Sequence, residues 1–148
     1  MDSWRYLGVY ILAAKNFKCS LSNNKKSFYK SFNAILSKVG HCASADVVIN
    51  LCSAKCLPIL IYGLDACPVS LTDKHTLDFI MNRTFMRIFK TGSIDIVNEC
   101  ILRFNLCKWS ETVINRKRRF LLRFSLSDNA VCNFFTNAAQ SELLLLSR

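Results

Sequence analysis

At 148 residues the chain is long enough for one domain around one core, and 51% hydrophobic residues, with 11 Phe among them, supply ample material for it. Four Gly and two Pro exclude a linker-rich or intrinsically disordered chain. A net charge of +10, from 20 Lys and Arg against 10 Asp and Glu, points to a polyanionic partner, and the clustering of the cations favours nucleic acid over an acidic membrane surface.

In chain order, Trp4 to Leu12 is rich in aromatic and β-branched residues and reads as a strand, with Gly8 marking a bulge or a close approach by another chain segment. No other long strand is expected, a short run Pro58 to Tyr62 being the one further candidate, so this strand stands without a sheet partner. Asn16 to Asn24 is polar and loop-like. Phe28, Tyr29, Phe32, Ile35, Leu36 and Val39 then recur at helical spacing, opposite Lys26, Lys30, Asn33 and Ser37, and Gly40 provides a stop. From Ser44 to Leu64 apolar residues fall on all sides, which predicts a helix enclosed at the centre of the domain. Ser44 or Asp46 caps it, Pro58 kinks or ends it, and Gly63 breaks it.

Ser70 or Thr72 is expected to cap a helix that runs through Lys90 and ends before Gly92, with Leu77, Met81, Phe85, Ile88 and Phe89 facing inward. A fourth helix covers about Ile94 to Phe104. Ser110 caps a fifth through about Phe124, with Glu111 near its positive end. Asp128 or Asn129 caps a last one through Ala138 and Ala139 and as far as Leu145. The fold class is therefore mainly α: a bundle of about six helices preceded by one short N-terminal strand. Residues 1–14 form a strand or hairpin remnant, and 15–148 the helical domain.

The eight cysteines follow no recognisable secretory leader, and several lie in apolar helical stretches, so they read as reduced core thiols in an intracellular, nuclear or cytoplasmic, protein. Cys52 and Cys56, with the His41-Cys42 dipeptide, are half a zinc site at best, and no metal or cofactor is expected. Val47 to Leu71 is broken by Lys55, Pro58 and Asp65, so no membrane span is expected. Catalytic signatures are missing: there is no Gly-rich phosphate loop, no adjacent Asp pair for two-metal chemistry, and no evident thiol nucleophile with a histidine base. Asn82-Arg83-Thr84 matches a glycosylation sequon by chance.

Cations, by contrast, are organised. On the fifth helix Val113, Phe120, Leu121 and Phe124 fall on one side, and Arg116, Arg119 and Arg123 on the flank away from it. Lys117 projects toward the apolar side and is expected to snorkel to the helix edge. From Glu111 to Phe124 five basic residues face one acid. Arg83, Arg87 and Lys90 form a second row and Lys26 and Lys30 a third. Side by side, the three rows would make a positive surface that tracks a phosphate backbone. Ordinary solvated helix faces are the competing reading.

Tyr6-Leu7-Gly8-Val9 resembles the Tyr-Leu-Gly element that follows the catalytic motif in reverse transcriptases (RNA-directed DNA polymerases) of non-LTR, LINE-type retrotransposons. The resemblance continues with Lys55-Cys56-Leu57-Pro58-Ile59-Leu60-Ile61-Tyr62-Gly63-Leu64-Asp65-Ala66-Cys67, whose Leu-Pro, aliphatics and Tyr-Gly are the most specific piece. It extends to Leu77-Asp78-Phe79, Asn82-Arg83, Phe85-Met86-Arg87-Ile88-Phe89-Lys90-Thr91 and Arg116-Lys117-Arg118-Arg119-Phe120-Leu121. It implies that Tyr6, Leu7 and Gly8 belong to the end of a palm domain beside a primer grip, and that residues from about Lys25 onward form a thumb that packs against a template–primer duplex. The Asp-Asp motif that carries the family's chemistry is not in this chain. The expectation is thus a catalytically incomplete fragment that is not an enzyme by itself. Its expected partners are an RNA–DNA or DNA duplex and the missing reverse-transcriptase domains, with no membrane and no small-molecule substrate. The alternative is a non-catalytic helical protein–protein interaction module.

Overall fold

The computed structural model describes residues 3–146, so the outer ends of both expected domains, residues 1–2 and 147–148, lie outside the described residues. The fold is a helical bundle with strands ahead of it, as the periodicity predicts. The single expected strand resolves into an antiparallel meander of β1 (Ser3–Tyr6), β2 (Val9–Leu12) and β3 (Lys18–Ser20), with β2 in the middle. Gly8 is not a bulge. Tyr6 pairs with Val9, leaving Leu7 and Gly8 as a two-residue hairpin loop with φ of 46° and 83°. Two successive positive φ values give a turn whose twist matches that of the paired strands, and glycine supplies one of them without strain. The polar stretch expected to be a loop contains β3, whose Cys19 pairs with Ile11.

The helices are α1 (Ser22–Val39), α2 (Ala45–Leu51), α3 (Leu57–Leu60), α4 (Leu71–Phe89), α5 (Ile94–Arg103), α6 (Trp109–Ser125), α7 (Ala130–Phe134) and α8 (Thr136–Leu146). Between α2 and α3, Cys52–Cys56 forms a π-helical turn, and Leu57 N–H donates to the Cys52 carbonyl. Pro58 explains it. Proline has no N–H for the carbonyl four residues back, and its ring crowds that carbonyl. Widening the preceding turn relieves the clash, and the helix continues through Leu60 where a break or a strand was expected. Nor is this segment enclosed on all sides. Val48, Ile49, Cys52, Cys56 and Leu60 are buried, while Val47, Asn50, Lys55 and Pro58 are exposed.

The core lies where α1, the α2–α3 segment, α4 and α6 meet. Phe28 is its hub. Its ring stacks on Phe32 at 6.0 Å and meets Trp109 edge-on at 5.3 Å, and Trp109 in turn faces Phe85 at 6.3 Å. Such aromatic pairs add about 0.5–1.5 kcal/mol each beyond the area they bury. Leu77, Met81 and Phe85 of α4 are buried as expected, and Ile88 and Phe89 pack partly buried against them.

Helix ends are held in two ways. Ser70 caps α4 reciprocally with Asp73: the Asp73 N–H donates to Ser70 Oγ, and the Ser70 N–H donates to the Asp73 carboxylate. Ser110, expected to cap the next long helix, sits inside α6 instead. Its N–H and hydroxyl both donate to the carboxylate of Asp78 on α4, which caps α6 from across the interface.

Strands and helices meet at Tyr62-Gly63. The Tyr62 hydroxyl donates to the Leu7 carbonyl, and the Tyr62 ring covers Gly8. Asn24 of α1 donates to the carbonyls of Leu60 and Tyr62. Gly63 has φ of 76°, and a Cβ there would stand 2.5 Å from Val9 Cγ2. Gly63→Ala should therefore cost about 2 kcal/mol, part steric and part conformational. Adding Val9→Ala should recover the steric part and leave about 1 kcal/mol, measured as a double-mutant cycle by urea denaturation.

Candidate nucleic-acid interface

α6 carries its functional candidates because of how it is rotated. Trp109, Val113, Lys117 and Leu121 recur every four residues and are buried. This stripe differs from the expected one, since Phe120 and Phe124 lie outside it. Lys117 does not snorkel. It is 5% exposed, and its ammonium donates to the Cys67 carbonyl at 2.8 Å and pairs with Glu142 of α8. A buried cation stays charged without large cost when it is paired and hydrogen-bonded.

Its neighbours are also held. Arg116 makes a two-pronged bridge to Asp65 at 3.1 and 2.9 Å. Arg118 donates to the Leu146 carbonyl at 2.8 Å, at the negative end of α8. Three members of the basic run Arg116 to Arg119 thus fasten α6 to the 61–70 loop and to α8. Arg119 and Arg123 have no ion pair among the described residues.

Those two arginines, with Arg116, Phe120, Phe124 and Asp65, line an open groove of about 680 Å³. Three cations against one carboxylate leave it positive. Phe120 and Phe124 stand 6.1 Å apart, so the groove offers guanidinium groups and aromatic faces together. The helical wheel brought the three arginines together. It missed the two phenylalanines beside them, because it counted them as core.

The other two rows lie on α4 and α1. Arg87 of α4 donates to Asn33 Oδ1 of α1 at 2.6 Å and lies 5.6 Å from the centre of the Phe32 ring. Lys30 and Lys26 precede Asn33 by one and two helical turns, and both are exposed. Arg83 and Arg87 act on Tyr29: burial raises its hydroxyl above the ordinary range, while the two guanidinium charges pull it down. Lys90 shares a cavity of about 520 Å³ with Arg87 and His41. The α1 and α4 rows therefore adjoin through Arg87 and Asn33.

Tyr6 and Leu7 are exposed on the first hairpin, and Gly8 lies under Tyr62. Cys52 and Cys56 are buried. Burial, then the nearby Cys56, pushes the Cys52 thiol up to about 12, and burial raises Cys56 as well, so both are neutral thiols at physiological pH. No group of three His, Cys, Asp or Glu placed to hold a metal stands among the described residues. No described helix is long and apolar enough to cross a membrane.

Compared with known protein families, curated proteins and solved structures, the chain matches none.

The Lys117 pair gives a direct check on the rotation of α6. Glu142→Ala leaves the ammonium without its carboxylate and should cost about 1–2 kcal/mol in chemical denaturation, discounted because Glu142 is partly exposed. Lys117→Met in the same background should regain most of that loss. A double variant no more stable than Glu142→Ala would show that the lysine is not buried.

Proposed function

We propose that this chain is a helical nucleic-acid-binding module that holds a phosphate backbone against α6, in the manner expected of a reverse-transcriptase thumb. One observation carries the reading: the groove in which Arg119 and Arg123, without acidic partners among the described residues, flank Phe120 and Phe124. Solubility alone gives no reason to set two phenylalanines between unneutralised arginines. Like charges four residues apart destabilise a helix by about 0.2–0.5 kcal/mol, and a bound phosphate reverses that sign. The exposed Phe120 and half-buried Phe124 rings beside guanidinium groups suit the sugar and base that accompany each phosphate. The patch made by Lys26, Lys30, Arg83, Arg87 and Lys90 supplies further backbone contacts.

The resemblance to non-LTR retrotransposon reverse transcriptases supports the same reading. Tyr62-Gly63, in its most specific piece, and the Tyr6-Leu7-Gly8 element lie more than fifty residues apart in sequence and touch in space. The proposal is confined to binding a duplex, RNA–DNA or DNA, inside a nucleus or cytoplasm. Phosphoryl transfer is no part of this proposal.

A second reading, a protein–protein interaction module, draws on the exposed apolar residues. Trp4 is 81% and Leu7 74% exposed on and beside β1, which is an edge strand. Edge strands with apolar side chains pair readily with another chain.

Titrating a short RNA–DNA duplex at several salt concentrations separates the two. The nucleic-acid reading gives log Kobs falling with log salt by about 0.9 per phosphate neutralised. Arg119→Gln with Arg123→Gln should make that slope shallower by about 2. Arg116→Gln should change it less, because Asp65 already holds that guanidinium. A salt-independent signal, or retention by a protein partner without retention on a nucleic-acid column, gives the second reading.

A further inference from the structure

We infer that Cys19 and Cys67 form a dithiol redox site, which closes to a disulfide between the N-terminal sheet and the helical domain when the chain meets a small-molecule disulfide such as oxidised glutathione. The site is independent of the nucleic-acid reading.

Cys19 lies in the middle of β3, and Cys67 in the loop before α4. The Cys19 and Cys67 Sγ atoms stand 2.6 Å apart, inside van der Waals contact and nearer than a thiol hydrogen bond would place them. A covalent S–S bond is about 2.04 Å long, so the sulfurs need to move by well under an ångström. Their backbones are already fixed in that relation from several sides. Ile11 pairs with Cys19 across the sheet. The Cys67 carbonyl accepts from Lys117, Asp65 two residues earlier bridges Arg116, and Gly63 abuts Val9. Closure asks nothing of the main chain that these contacts have not already set. The other thiols differ. Cys52 and Cys56 neighbour each other within one helical stretch but are at most 1% exposed, out of reach of a solvent oxidant. Cys42 and Cys107 are exposed and have no thiol partner among the described residues.

The exchange takes two displacements. The Cys19 thiolate attacks one sulfur of the small disulfide, which breaks its S–S bond, makes a mixed disulfide at Cys19 and releases one small thiol. Cys67 then loses its proton to solvent, and its thiolate attacks Cys19 Sγ, expelling the second small thiol. Two protein thiols are oxidised and one small disulfide is reduced to two thiols. Burial, reinforced by the neighbouring Cys19, pushes the Cys67 thiol up to about 12, with the Lys117 charge acting against it. Burial still acts on Cys67 once Cys19 is in the mixed disulfide, so the second displacement is the slow one, and it accelerates as pH rises from 7 to 9.

The test equilibrates the full chain in glutathione buffers of graded oxidised-to-reduced ratio, quenches in acid, blocks free thiols and maps peptides by mass spectrometry. Trypsin combined with cleavage before aspartate separates Cys67 from Cys56, since Asp65 lies between them. The expected result is a peptide joining Cys19 to Cys67 that comes to dominate as the buffer becomes oxidising. Cys42 and Cys107 should carry glutathione instead. The oxidised protein should melt about 10 °C above the reduced one, since the bridge closes a long loop. Cys19→Ser should abolish both the cross-link and the shift. Recovery of Cys19 as a free thiol or as its glutathione adduct under the most oxidising buffer overturns the inference, as does an unchanged melting temperature in cross-linked protein. The mapping uses the wild-type chain, so it decides the matter whether or not Cys19→Ser folds.

Discussion

The burial of one ammonium group, that of Lys117, sets the rotation of α6, and the rest of the candidate site depends on that rotation. A helix with apolar residues on both sides of a basic flank has two plausible inward faces. One contains Val113, Leu121, Phe120 and Phe124 and leaves Lys117 at its edge. The other contains Trp109, Val113, Lys117 and Leu121, the face that is buried. Two acceptors decide between them. The Cys67 carbonyl and the Glu142 carboxylate make the inward lysine tolerable, and Trp109 completes the stripe by joining the Phe28 cluster. Turning that face inward leaves Phe120 exposed and Phe124 half-buried among the arginines. The groove is thus a consequence of where one lysine finds its partners.

The same contacts tie together parts of the chain that the topology leaves loosely connected. The 61–70 loop meets the β1–β2 hairpin through Tyr62 and Gly63, meets α6 through Asp65 and Cys67, and leads into α4 through the Ser70 cap. α8 is fastened to α6 by Lys117 and Arg118. A small sheet and a two-part C-terminal helix, neither with many buried residues of its own, are held to the bundle through this loop and through α6. Such attachments open more readily than an apolar core, so the sheet and α8 are expected to show the weakest hydrogen-exchange protection.

Much of the helical framework is readable from spacing alone. Phe28 and Phe32, and Leu77, Met81 and Phe85, announce the buried faces of α1 and α4, and Ser70 with Asp73 announces the start of α4. What spacing misses depends on partners distant in sequence. β3 is three residues long and too polar to signal a strand, so the hairpin before it looked unpaired. Ser110 has the chemistry of a cap, but Asp78 supplies the cap instead. Pro58 marks a disturbance, but whether a helix ends or widens there depends on what packs beneath it, here Cys52, Cys56 and Leu60. In the candidate site, the arginine trio was legible on a wheel, whereas the outward turn of Phe120 and Phe124 was not. Hydrophobicity placed those rings inside, and the acceptors that bring Lys117 inside in their stead lie 50 residues before it, at Cys67, and on α8.

Covalent labelling of lysine amines in the native protein, read residue by residue, tests the rotation of α6 most directly. With Lys117 buried between Cys67 and Glu142, it should stay unmodified at reagent levels that fully label the exposed Lys108 at the start of the same helix, and become reactive only on unfolding. Labelling of Lys117 at the rate of Lys108 in the folded chain would mean that α6 is turned the other way, with its phenylalanines inward and no groove.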